Sequence, residues 1–152
     1  MTRRLPLDTL SELARTQTDE SARRLGQLQS AQLSALQKLD LLVQYRQDYQ
    51  EQLLHTLTNN GLSTGQWRNF QNFLATLDGA IEQQRAIVEQ ASARLDHGRV
   101  DWQQNKRRLN SFDTLAERVR QQELMVQAKR EQRDSDERSA RKFFDRGVHP
   151  TL

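Results

Sequence analysis

The chain has 152 residues, 35% hydrophobic and 28% charged, about one domain in length but short of the apolar content of a globular core. Six glycines and two prolines leave too little turn chemistry for a sandwich, a barrel or an alternating βαβ fold, and the absence of cysteine excludes disulfides, thiolate metal sites and a cysteine nucleophile. The net charge of +3 comes from arginines interleaved with acids, which weakens any nucleic-acid reading. The first residues, Met1 to Pro6, lack the apolar run of a secretory signal, and no stretch approaches the ~20 apolar residues of a membrane span, so a soluble cytoplasmic protein is expected.

In chain order, apolar residues recur at alternating steps of three and four through Leu25, Leu28, Ala35, Leu39, Leu42, Tyr49 and Leu53. Polar Thr18, Ser21, Gln32 and Arg46 interrupt the series. The period predicts a coiled-coil helix over about 6–58, opening at Pro6, a residue suited to a first helical turn. A tip loop follows at about 59–63, where Asn and Gly suit the left-handed C-terminal cap of a helix. Ser63 is an N-cap, Gln66 three residues on completes a capping box, and Leu62 is placed to staple onto Trp67. A second helix is expected over about 64–146. Its stripe runs from Trp67, Phe70, Leu74, Leu77 and Ile81 to Leu109, Phe112, Ala116 and Val119 without losing register.

A short loop between two long amphipathic helices predicts an all-α fold: an antiparallel coiled-coil hairpin, the second helix the longer, forming a single unit over residues 1–152. Folding about the loop pairs positions whose numbers add to about 123. Leu42 then lies beside Ile81, Leu28 beside Leu95, Leu25 beside Gly98, and Leu7 beside Ala116. Gly26 and Gly98 share one level, which reads either as a bend or as space made for Leu25. From Glu117 to Arg146, roughly thirty residues or about 45 Å of helix have no partner. Their alternating charge fits a solvated helix, and Phe143-Phe144 near the end favours a binding role.

Residues that carry chemistry are sparse. His55, His97 and His149 are far apart, with no HExxH, Walker A, GxGxxG or GxSxG pattern. No enzyme activity, cofactor or metal is expected. The longest basic run, Lys106-Arg107-Arg108, is flanked by Asp96, Asp101 and Asp113 and reads as a solvated face. The informative feature is an excess of apolar residues near the tip, with Leu41, Val43, Tyr45, Leu54, Leu57 and Phe73 beside the seam. Leu42, Tyr45 and Tyr49 share one face of the first helix, and Phe73, Leu77 and Ala80 repeat at four and three on the second. Such a cluster is either a broadened core or a protein-binding hot spot.

The tip sequence, Leu41-Leu42-Val43-Gln44-Tyr45 with Tyr49, Gly61, Trp67-Arg68-Asn69-Phe70-Gln71-Asn72-Phe73, Leu77 and Ala80-Ile81-Glu82-Gln83, resembles the flagellar export protein FliJ family. Leu13-Ala14, Ala22-Arg23 and Leu25-Gly26 look like its first helix, and Trp102 with Lys106 to Leu109 like its later segment. The resemblance implies a small cytoplasmic component of the type III export apparatus, folded like the central stalk subunit of rotary ATPases and peripheral to the inner membrane. It implies a terminal end that enters the hexameric export ATPase ring, a tip that meets the membrane export gate, and contacts with escort chaperones. The tip-face positions carried over are Leu42, Tyr45, Tyr49, Phe73, Leu77 and Ala80. The alternatives are the stalk of a non-flagellar injection apparatus, a nucleic-acid or membrane-surface binder, and a structural coiled coil that dimerises through the tip.

Overall fold

The computed structural model describes residues 6–147. Two α-helices pack against each other as an antiparallel hairpin: α1, Pro6–Asn59, and α2, Thr64–Gly147. No strand occurs among the described residues. Pro6 heads α1, where its missing N–H costs no intrahelical bond, and Asp8 in the first turn complements the helix dipole.

The turn is built by the residues the sequence singled out. Asn60 N–H still donates to the Thr56 carbonyl at 3.0 Å, and Gly61 then takes φ 66°, the left-handed conformation that lets the chain leave the helix. The capping box closes in both directions: Gln66 N–H donates to Ser63 Oγ at 3.2 Å, and Ser63 N–H donates to Gln66 Oε1 at 3.1 Å. Trp67 N–H donates to the Ser63 carbonyl at 3.0 Å, the first bond of α2.

Contacts divide the chain into two compact units, one of Thr16–Lys106 and one of Met1–Arg15 with Arg107–Leu152. In the first, the buried apolar residues are Ala35, Leu53, Leu74, Leu77, Ile81 and Leu95, all members of the two stripes. The polar residues that interrupt the α1 stripe are paired across the seam. Thr18 Oγ1 donates to the Asn105 carbonyl at 3.2 Å, and Gln32 Nε2 donates to Ser92 Oγ at 3.0 Å. Ser21, only 2% exposed, bonds the Gln17 carbonyl at 2.9 Å and accepts from Asn105 Nδ2, with Asp101 Oδ2 at 3.4 Å. From the other side, Gln84 Nε2 donates to the Ala35 carbonyl at 3.0 Å, and Arg46 Nε pairs with Asp78. Apart from the exposed Arg46–Asp78 pair, these bonds satisfy part-buried groups that would otherwise cost about 1–3 kcal/mol each.

The two glycines differ. A Cβ on Gly98 would sit 2.6 Å from Leu28 Cδ1 and 3.7 Å from Leu25 Cδ1, whereas a Cβ on Gly26 would meet nothing within 4 Å. Gly98 is therefore a close-approach position, filled chiefly by Leu28 rather than by Leu25.

The second unit is described over residues 6–15 and 107–147. Ala14, Leu109 and Ala116 are buried there with Ser11, and Arg15 pairs with Asp113 at 3.8 Å. Leu7 and Val119 are half-buried, and from residue 121 to 147 every α2 residue is exposed.

Alanine at Gly26 is expected to stabilise the chain by up to about 1 kcal/mol, the helix-propensity gain. Alanine at Gly98 forces Leu28 aside and falls short of that gain by about 1 kcal/mol or more. Urea denaturation of both variants checks this, and equal gains would show that Leu28 moves at no cost.

A candidate protein-docking face near the turn

Near the turn, α1 presents Leu42, Tyr45 and Tyr49 at steps of three and four, and α2 presents Phe70, Phe73, Leu77 and Ala80 at three, four and three. Side chains at these spacings share a face of a helix, so one aromatic cluster draws on both helices. Tyr49 is its centre: its ring centroid lies 4.4 Å from that of Phe73 and 5.1 Å from that of Phe70, both tilted. Tyr45 meets Phe73 edge-on at 6.3 Å. Such offset and edge contacts are worth about 0.5–1.5 kcal/mol beyond burial, and they hold the rings in place before any partner arrives.

Exposure separates the six residues singled out from the sequence. Tyr45 is 55% and Phe73 36% exposed, Leu42, Tyr49 and Ala80 are half-buried, and Leu77 is buried in the seam. Tyr45 and Phe73 thus offer surface, Tyr49 braces both, and Leu77 belongs to the packing beneath.

The other apolar residues near the turn are exposed but not joined to this cluster. Leu54, Leu57 and Trp67 line an open groove floored by Leu53 and Leu74 and ended by Arg46 and Asp78. At 100° per residue this places Leu54 and Leu57 on the flank of α1 opposite Tyr45. Trp67 is the member of this groove that seam periodicity alone did not mark as exposed; its place in the first turn of α2, next to the loop, was the available signal.

The remaining candidates are dispersed. His55 and His97 are exposed, with Asn59 Nδ2 3.0 Å from His55 Nε2, and His149 lies outside the described residues. Asp96, Asp101 and Asp113 pair with Arg99, Arg24 and Arg15 at 3.7–3.8 Å rather than with Lys106, Arg107 or Arg108. Among the described residues, no three His, Cys, Asp or Glu side chains gather where they would hold a metal ion, and no helix is long and apolar enough to cross a membrane.

The fold is that of an all-α helical hairpin with a partly exposed aromatic cluster near its turn. The family model described as Flagellar FliJ protein matches residues 3–147. The chain is 33% identical over 131 residues to the Flagellar FliJ protein of Salmonella typhi and 30% identical over 131 residues to that of Escherichia coli strain K12. Each alignment covers 86% of this chain and 88% of the relative. The chain belongs to the FliJ family and is a flagellar export component.

Truncation should separate packing from surface. Leu77→Ala is expected to cost about 2–5 kcal/mol of stability, as for a buried leucine, and Tyr45→Ala less than about 1 kcal/mol. Chemical denaturation monitored by circular dichroism provides the check.

Proposed function

We propose that the chain is a non-enzymatic stalk of the flagellar type III export apparatus. In this reading its terminal end enters the export ATPase ring, and the face of Tyr45, Tyr49 and Phe73 docks on the membrane export gate. Leu42 and Ala80 edge that face, Leu77 supports it from the seam, and escort chaperones are further partners.

The observation that carries this reading is a braced, solvent-facing aromatic cluster shared by both helices in a member of a flagellar export family. A surface of this kind loses little side-chain entropy on binding, which is why aromatic anchors dominate hot spots. The adaptor role also fits a molecule whose part-buried polar side chains bond backbone carbonyls and a hydroxyl across a packed seam instead of converging on a pocket. The flagellar relatives favour this apparatus over a non-flagellar injection system.

Titration calorimetry with the cytoplasmic domain of the export gate tests the docking face. Tyr45→Ala is expected to weaken binding at least about 30-fold, equivalent to roughly 2 kcal/mol, with the helical signal and melting unchanged. Unchanged affinity in that folded variant refutes the assignment.

A further inference from the structure

The aromatic cluster is one end of a longer flank. In seven-residue steps α2 carries Phe73, Ala80, Ile87, Arg94 and Asp101, and α1, running the other way, carries Tyr45, Lys38, Ala31 and Arg24. Side chains seven apart stay on one side of a coiled-coil seam. Contacts at both ends hold the two rows side by side: the Tyr45 and Phe73 ring centroids are 6.3 Å apart, and Arg24 lies 3.8 Å from Asp101. Between these ends Ile87 is 45% exposed, and the short Ala31 and Ala80 leave a trough beside it. Next comes an open notch of about 400 Å³ lined by Arg24, Leu28, Arg94, His97 and Gly98.

Charge distinguishes this flank from the opposite one. On the other side of the seam, Arg46, Arg85 and Arg99 each pair with a carboxylate of their own chain, Asp78, Glu82 and Asp96. On this side Asp101 is engaged by Arg24 and Ser21, and among the described residues Lys38 and Arg94 meet no carboxylate.

Resting on the docking face proposed above, we propose that the docking surface is the whole strip from Tyr45 and Phe73 to Arg94, and that an acidic segment of the same partner occupies it. From Phe73 to Arg94 the strip is about 32 Å long at 1.5 Å per residue. The segment sets an apolar side chain on Ile87 and a carboxylate in the notch beside Arg94. Asp48, exposed one helical turn beyond Tyr45, repels carboxylates at the aromatic end, so the acidic end of the segment lies over Arg94. Two partly exposed rings fall far short of the roughly 800 Å² that each partner buries in a stable complex, and the strip is the continuation that the seam supplies. An exposed guanidinium in such a rim acts chiefly on the association rate and is screened by salt.

Titration calorimetry of the full chain with the cytoplasmic domain of the export gate, at about 50 and 500 mM salt, tests the proposal. Arg94→Glu should weaken binding at least about 10-fold at low salt and about 3-fold or less at high salt. Ile87→Ala should weaken it about 5-fold at both, and Arg99→Glu, on the opposite side of the seam, less than about 2-fold. Circular dichroism monitors the helix content of every variant. A carbodiimide should join the Arg94→Lys chain, at that position, to an aspartate or glutamate of the gate domain. Weakening by Tyr45→Ala with none from Arg94→Glu or Ile87→Ala leaves the aromatic face standing and overturns the strip. Equal losses from Arg94→Glu and Arg99→Glu point to net charge alone and overturn it too, as does absence of the cross-link. If Tyr45→Ala has no effect, the aromatic face fails and the strip that rests on it fails with it.

Discussion

The structure depends on the register between α1 and α2. Two packed helices have one seam and no second layer, so every buried group must find its partner along a single line. The turn sets the register first, because Gly61 and the Ser63–Gln66 capping box fix where α1 ends and α2 begins. The cross-seam bonds then enforce it: a slip of one heptad would separate Ser21 from Asn105, Gln32 from Ser92 and Arg46 from Asp78. The aromatic face inherits its geometry from this constraint. Tyr45 and Tyr49 come from one helix and Phe70 and Phe73 from the other, and a heptad slip moves them apart by about 10 Å.

Much of this was legible in the sequence because a coiled coil writes its core as a period. Leu74, Leu77, Ile81, Leu95, Leu109 and Ala116 were all in the stripe, and all are buried. The turn was legible for a similar reason, since a capping box is a local code read within four residues. What the period conceals is direction around the helix. Leu54 and Leu57 lie near the seam in sequence, as Tyr45 does, yet they occupy the other flank, and only the orientation of α1 against α2 separates them. Polar partners were hidden too. Thr18, Ser21 and Gln32 read as breaks in the apolar series because nothing in spacing announces that Asn105 and Ser92 wait opposite. Gly98 was legible only as a pair of alternatives, decided by the 2.6 Å approach of Leu28 Cδ1 to the position a Cβ would take.

A thin seam also explains the distribution of exposed apolar surface. Where both helices run together, aromatic and aliphatic residues beside the seam remain wetted, as at Tyr45 and at Leu54. From residue 121 to 147 every residue is exposed, and Phe143 and Phe144 reach 82% and 71% exposure. The fold is held by the seam and the turn, and the docking face proposed above uses surface that this packing leaves uncovered.

Hydroxyl-radical footprinting of the chain, free and bound to the cytoplasmic domain of the export gate, tests the docking reading most directly. Tyr45 and Phe73 should be strongly modified in the free chain and protected in the complex, with Leu54, Leu57 and Trp67 unchanged. Protection of the Leu54, Leu57 and Trp67 flank with Tyr45 and Phe73 still reactive would contradict it.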